Sequence, residues 1–129
     1  MKTILTTLFI FITLLSFSQN FIGNNKDQII NYLIKEGEAP QIKNTKDGQN
    51  IVSITEYSVN TFFLYNEICI GFCYVYRLKD LKETIDNLSL LYEKQTGLNW
   101  IQQSDGFKTH WHIEINGDYF TLMAKPVFK

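Results

Sequence analysis

The run "ICIGFCYVY", residues 68–76, constrains the fold more than any other stretch of this chain. It is rich in β-branched and aromatic residues, which favour β-strands. Side chains alternate between the two faces of a strand, and in this run both alternating sets are apolar. A strand that is apolar on both faces is covered on both sides, at least in part. We therefore expect this run to form a central strand of a sheet.

Other stretches predict further strands, most of them paired in hairpins. The predicted strands are 51–57, 60–65, 98–102, 108–115 and 119–124. The tripeptide "NGD" between the last two is a tight-turn signal. The stretch "KNTKDGQN" is polar throughout, and its Asp47-Gly48 pair predicts a turn before the first strand.

Two stretches have helical patterns. In "NNKDQIINYLIKEG", Asn25 can cap a helix, and Gln28 stands three residues later, as in a capping box. Gly37 is a natural end for this helix, and Pro40 prevents it from resuming. In "LKDLKETIDNLSLLYEKQTG", apolar residues recur at helical spacing, which predicts a helix over 78–97 that ends at Gly97.

The order of these elements indicates an α+β fold. We expect an antiparallel sheet of about six strands with two helices packed on one face, in the order α-βββ(β)-α-βββ. Each helix is followed by a "DG" turn and a pair of strands. This similarity fits an internal repeat, and it equally fits the turn signals that any helix–hairpin unit uses.

The N-terminal eighteen residues have the pattern of a secretory signal peptide. Lys2 is followed by an almost wholly apolar stretch, 4–15, which is shorter than the roughly 20 residues of a membrane-spanning helix. Ser16 and Ser18 supply the small residues needed before a cut. We expect a cleaved signal peptide, 1–18, and a single α+β domain, 19–129, exported to the periplasm or the medium without a stable membrane span. An uncleaved anchor and a buried N-terminal strand are the alternatives.

The charge argues against two classes of partner, and the spacing of the cysteines argues against a disulfide. With 12 Lys and Arg against 13 Asp and Glu, the chain lacks the basic excess typical of nucleic-acid binding or of a grip on anionic lipid. Cys69 and Cys73 are four residues apart in a predicted strand, or about 13 Å along it. Disulfide Cα atoms lie within about 7 Å of each other. We expect two small buried thiols and no intrachain disulfide, unless Gly71 kinks the strand.

The stretch "KTHWHIEIN" holds both histidines of the chain. His110, His112 and Glu114 alternate, so they share one face of a strand. Imidazoles at this spacing can bind one metal ion, but Glu114 is about 13 Å from His110 along the strand. The alternative is an ordinary half-buried strand whose polar residues face water. Its core-facing residues are then Thr109, Trp111, Ile113 and Ile115.

The sequence has neither a nucleophile elbow nor a glycine-rich phosphate loop, so we expect no catalytic activity and no cofactor. The predicted strands are instead rich in aromatic residues. If the helices cover one face of the sheet, aromatic side chains on the other face can form a binding surface for a protein, carbohydrate or peptide. The candidates for this aromatic sheet face are Tyr74, Tyr76, Trp100 and Tyr119.

The start "FIGNNKDQIINYL" resembles the opening helix of the SmpA/OmlA-type envelope proteins and of the related β-lactamase-inhibitor-protein fold. The matching positions are Gly23, Asn25, Lys26, Gln28, Ile29 and Leu33. The chain lacks the lipid-attachment cysteine of the envelope lipoproteins, and a long second helix replaces a simple run of strands. The resemblance implies a small exported module that recognises another protein with its sheet face.

These patterns together predict an exported binding module that recognises another envelope or extracellular protein through its aromatic sheet face. A structural or immunity-type envelope protein and a small-ligand carrier are the alternatives. A protein-binding module needs a contiguous exposed apolar patch. A ligand carrier needs a cavity of at least about 300 Å³.

Overall fold

A computed structural model describes residues 20–104 and 106–127, so the predicted signal peptide, 1–18, lies outside the described residues. Within these described ranges there are two α-helices, α1 (Lys26–Lys35) and α2 (Leu81–Leu91), the second preceded by a 3-10 turn, Leu78–Asp80. Neither described helix is long and apolar enough to cross a membrane. The strands are β1 (Gln41–Thr45), β2 (Gly48–Ile54), β3 (Ser58–Tyr65), β4 (Ile68–Arg77), β5 (Glu93–Lys94), β6 (Asn99–Ser104), β7 (Phe107–Asn116) and β8 (Tyr119–Val127).

The strands form one antiparallel sheet in the order β1-β2-β3-β4-β8-β7-β6-β5. This confirms the antiparallel α+β arrangement and the central position of the strand predicted from "ICIGFCYVY". The β4–β8 pair lies in the middle, where Phe72 is opposite Ala124 and Arg77 is opposite Tyr119. Strands β1 to β4 follow α1 in the chain, and strands β5 to β8 follow α2. Each set runs in sequence order from one edge of the sheet to the central pair. The topology supports an internal repeat of one helix and four strands.

The sheet has eight strands, and not the expected six or so, because two edge strands escape detection from the sequence. β1 lies in the stretch predicted to be polar connection, and all of its residues are exposed. β5 lies within the predicted second helix. That helix ends early, because Tyr92 takes an extended conformation (φ −127°, ψ 162°) and stacks on Trp111, with ring centroids 5.4 Å apart. The prediction of a helix over 78–97 is therefore wrong at both ends.

The capping signals of α1 are confirmed. The Asn25 side chain accepts a hydrogen bond from the Gln28 backbone (2.9 Å), and the Gln28 side chain accepts one from the Asn25 backbone (2.8 Å). At the other end, Gly37 takes a left-handed conformation (φ 85°), and the Glu38 N–H donates to the Leu33 carbonyl (2.9 Å). Both ends of the helix are satisfied locally, as the sequence predicts.

The start of α1 is attached to the β3–β4 hairpin. The Gly23 N–H donates to the Cys69 carbonyl (2.8 Å), and the Lys26 N–H donates to the Glu67 carbonyl (2.8 Å). The helix therefore begins at one end of β4, and its C-terminal end reaches the β2–β3 side of the sheet. This placement determines the position of a cleft between the C-terminal end of α1 and the sheet.

Burial shows that both helices pack on one face of the sheet. In β7, the alternate residues Thr109, Trp111 and Ile113 are buried, as the sequence predicts for an ordinary half-buried strand. Ile115, which the sequence predicts to face the core with them, is 47% exposed near the end of the strand. The buried residues of the helices, among them Leu33 of α1 and Leu88 of α2, belong to the same core. We call this the covered face. No described element covers the opposite face, which we call the open face.

A β-bulge in β4 changes which face its residues point to. Phe63 is opposite Gly71 and Leu64 is opposite Cys69, so β4 has one extra residue between them. Cys69 therefore lies in the core with Phe72, whereas Cys73 is half-buried on the open face. The alternation along the strand predicts that the two cysteines share a face, and the bulge makes this prediction wrong. Both thiols are free; Cys69 is buried as predicted, whereas Cys73 is only half-buried.

We expect Leu88→Ala to lower the free energy of unfolding by about 2–5 kcal/mol, because Leu88 is fully buried on the side of α2 that faces the sheet and its loss leaves a cavity. Leu90→Ala is the matched control, since Leu90 is 71% exposed on the same helix, and we expect a change within about 0.5 kcal/mol. Urea denaturation of both variants measures the difference. Equal losses would show that α2 does not pack on the sheet as described.

Candidate functional site

A cleft of about 680 Å³ lies between the C-terminal end of α1 and the covered face of the sheet. Its walls come from α1, the linker to β1 and the β2–β3 turn, and its floor comes from β3 and β4. Six aromatic residues line it: Phe21, Tyr32, Tyr57, Phe62, Tyr74 and Tyr76. The volume is within the range of small-molecule sites.

The structure places the four predicted sheet-face residues differently from the expectation. Tyr74 and Tyr76 point to the covered face, since they stand opposite the buried residues Leu122 and Phe120. Trp100 is 0% exposed and lies under α2, and its indole N–H donates to the Ser89 hydroxyl (3.0 Å). Both helices pack on the face of the sheet to which these three residues point, so none of the three lies on the open face.

Of the four, only Tyr119 is exposed outside the covered face. It is 54% exposed at the start of β8, where it stands opposite Arg77 of β4. The expected exposed aromatic sheet face is therefore not formed by these residues. Tyr74 and Tyr76 meet instead in the cleft, which is on the opposite face from the one predicted.

The aromatic rings of the cleft form a connected floor. The ring centroid of Tyr74 lies 6.0 Å from that of Tyr76 and 6.3 Å from that of Phe62. Phe21 makes edge-to-face contacts with Phe62 (5.0 Å) and with Tyr32 (5.1 Å). Such offset contacts hold each ring in place through its neighbours. The floor is therefore a fixed apolar surface.

Asn60, a residue that lines the cleft, has a buried polar atom without a partner among the described residues. Asn60 is 8% exposed, and its Oδ1 atom accepts no hydrogen bond from any described residue. Ser53, directly opposite on β2, is also buried, but its hydroxyl donates to the Glu38 carboxylate (2.5 Å). A buried acceptor without a donor costs about 1–3 kcal/mol, so its presence calls for an explanation.

The charges around the cleft all have one sign. Glu36, Glu38 and Glu56 line it, and none of the described lining residues is a lysine, arginine, histidine or cysteine. Burial is the main cause that raises the pKa of Tyr74 and of Tyr76, and the negative charge of Glu38 raises both further. At neutral pH both tyrosine hydroxyls are therefore protonated.

On the open face, the two histidines come together at one amide. His110 Nε2 lies 2.7 Å and His112 Nδ1 lies 2.9 Å from Asn99 Oδ1. The Asn99 amide nitrogen donates to the Thr96 carbonyl (2.8 Å), which fixes the amide so that its oxygen faces the rings. Each ring therefore donates an N–H to the same oxygen.

A metal site at these histidines stays a prediction. The two rings share a face as predicted, with centroids 6.0 Å apart. No group of three or more His, Cys, Asp and Glu side chains that could hold a metal ion occurs among the residues that the structure describes. In their present geometry the ring N–H groups of His110 and His112 serve to bind Asn99.

The open face also has exposed apolar side chains. Phe62 is buried on the covered face, whereas its neighbour Phe63 is exposed on the open face, as expected from the alternation. Val59 on the same strand and Ile54 at the end of β2 are exposed too. These residues give the open face an apolar area on β2 and β3.

No protein-family model, no curated protein and no solved structure matches this chain. The likeness of α1 to the SmpA/OmlA-type proteins therefore stays a resemblance of a short segment.

Sequence reasoning missed Asn60 and Glu38 as site residues. A signal for Asn60 exists, because it alternates with Phe62 and Leu64 in a predicted strand and so points to the core. Glu38 has no such signal: its place at the cleft depends on the linker between α1 and β1.

We expect Asn60→Leu to raise the free energy of unfolding by about 1–3 kcal/mol, because it removes a buried acceptor that no described residue satisfies and keeps the number and branching of the side-chain heavy atoms. Asn31→Leu, on the exposed surface of α1, is the control, and we expect a change of about 0.5 kcal/mol or less. Urea denaturation measures both. A loss of stability in Asn60→Leu would mean that Oδ1 has a partner in the folded protein.

We expect the titration of His110 to affect stability in acid. Burial, then the charges of Lys125 and His112, lower the pKa of His110 below its usual 6.5. The unfolded chain then takes up this proton first, so the contribution of His110 to stability falls as the pH drops through about 6.5. His110→Gln should lose less stability than the original chain between about pH 7 and pH 5.

Urea denaturation at both pH values measures this difference, and an NMR titration of the His110 ring gives its pKa directly. A ring that titrates at or above 6.5 would contradict the expectation.

Proposed function

We propose that this protein is a binding module that holds a small ligand, or a side chain of that size, in the cleft between α1 and the sheet. One observation carries the proposal: Asn60 lines the cleft, and its buried Oδ1 atom has no donor among the described residues. A polar group placed in an apolar site in this way usually orients a ligand. Of the functions predicted from the sequence, the small-ligand carrier fits this geometry best.

Binding without catalysis fits the groups in the cleft. Burial raises the pKa of the hydroxyls of Tyr74 and Tyr76, so both are protonated at neutral pH and do not act as bases. The described lining residues include no histidine, cysteine or lysine, which leaves the tyrosines and the three glutamates as the titratable groups of the cleft. We propose that the module works outside the cytoplasm, in the periplasm or the medium, because residues 1–18 have a signal-peptide pattern.

Recognition of another protein through the open face is a second candidate. The exposed Val59 and Phe63 on β3 favour it, since apolar residues on an uncovered sheet face are typical of interfaces. A crosslinking pull-down with residues 19–129 and with Phe63→Glu tests it. A stoichiometric partner that Phe63→Glu no longer captures would support this candidate, and capture unaffected by the substitution would exclude it.

The test of the cleft is a ligand-observed NMR screen of mixed fragments against the original chain and a blocked variant. Ala39 is exposed and lines the cleft, so Ala39→Phe fills the cleft without disturbing the core. Lys46→Phe, in the exposed β1–β2 turn, is the matched control. We expect fragments that bind the original chain and the control about equally and bind the blocked variant at least about tenfold more weakly.

Fragments that bind all three proteins alike would place the binding site elsewhere. A screen without any binder would overturn the proposal.

A further inference from the structure

The cleft has three features that select for one kind of ligand, and each is independent of the others. The first is charge. Glu36, Glu38 and Glu56 surround it, and no described lining residue carries a compensating positive charge. An anionic ligand is repelled at this opening, and a cation is attracted.

The position of Glu38 is fixed by the fold. Its carboxylate accepts a hydrogen bond from Ser53, a buried residue on β2. Glu38 is itself half-buried, so its charge is screened less by solvent than that of a fully exposed group. Glu36 and Glu56 are exposed, and they contribute mainly to attraction from a distance.

The second feature is the aromatic floor. Tyr32, Tyr74, Tyr76 and two phenylalanines line the cleft. The faces of aromatic rings are electron-rich and attract organic cations, most strongly where water is excluded. Tyr74 and Tyr76 lie deep enough that burial is the largest cause of their raised pKa values. An apolar ligand body is favoured here, and so is a positive charge attached to it.

The third feature is Asn60. Its Oδ1 atom is an acceptor, more than nine-tenths of the residue is buried, and no described group donates to it. An acceptor can pair only with a ligand that has an N–H or O–H group. A quaternary ammonium ion has neither, whereas a protonated primary amine has three N–H donors. This feature distinguishes between two classes of cation that the first two features treat alike.

We infer that the cleft binds a protonated primary amine on an apolar body, with one N–H on Asn60 Oδ1, the body on the tyrosine floor and the charge facing the three glutamates. The inference rests on the proposed function and names the ligand class for the same site. The amine comes from a free small molecule or from a lysine side chain of a peptide, and the chemistry of recognition is the same.

The probes are phenethylamine, its N,N,N-trimethyl derivative and phenylpropanoate, which share an aromatic body and differ in the head group. Isothermal titration with residues 19–129 measures their affinities. We expect the order phenethylamine, then the trimethyl derivative, then phenylpropanoate, and we expect binding of the amine to weaken as salt is added. Ala39→Phe should weaken the amine at least about tenfold, as in the fragment screen.

Two variants separate the contributions. Asn60→Leu should reduce the preference for the primary amine over the trimethyl derivative by about tenfold, because a hydrogen bond to a charged group is lost. Glu36→Gln with Glu56→Gln should weaken both cations several-fold. Its control is Glu83→Gln with Glu114→Gln, which makes the same change in net charge at exposed positions that do not line the cleft.

A second arm identifies the source of the amine. The probe is Nα-acetyl-lysine methylamide, which keeps the side-chain amine. Binding as tight as that of phenethylamine indicates a lysine side chain of a peptide, and weaker binding indicates a free amine. Either result supports the inference, provided that the preference for the primary amine depends on Asn60.

Other outcomes overturn it in distinct ways. Phenylpropanoate could bind as tightly as the amine, with this binding abolished in Ala39→Phe. That result would support the cleft as a binding site and refute the ligand class. A trimethyl preference that Asn60→Leu does not change would refute the role of the buried acceptor. No binding of any probe or fragment would refute both the ligand class and the proposed function.

Discussion

The antiparallel pairing of β4 with β8 is the contact on which the rest of the structure depends. It joins two units of one helix and four strands into a single sheet. The backbones approach closely there: a side-chain carbon at Gly71 would lie 3.2 Å from the Ala124 carbonyl oxygen. Because β4 is central, its inward residues lie between two helices that pack on different strand pairs. That position turns Tyr74 and Tyr76 into the floor of a cleft beside α1.

The cleft combines features that stabilise the fold with one that does not. Its aromatic rings pack on one another and on the core, which contributes favourable burial. Asn60 does the reverse, because a buried acceptor without a donor lowers stability. Residues that cost stability at a cleft are typical of sites kept for binding.

Several features follow from the sequence because they depend on near neighbours. The Asn25–Gln28 capping box, the end of α1 at Gly37 and the turn at Gly117 are set by local backbone chemistry. The burial of Trp111 and Ile113 follows from strict alternation in β7. The opposite faces of Cys69 and Cys73 could not be predicted, because one bulge shifts the alternation between them. The placement of Trp100 could not be predicted either, because it depends on where α2 packs.

By itself, the sequence determined the fold class, the antiparallel central strand and the ends of the first helix, since periodicity and capping act over a few residues. It also predicted an aromatic binding surface, and two of its four residues, Tyr74 and Tyr76, line the candidate cleft. Only the tertiary structure decided which face they occupy. Glu38 and Asn60, which lie 22 positions apart in the chain, line one cleft only because α1 is attached to the β3–β4 hairpin. Long-range pairing places residues that local patterns cannot relate, and the candidate binding site is made of such residues.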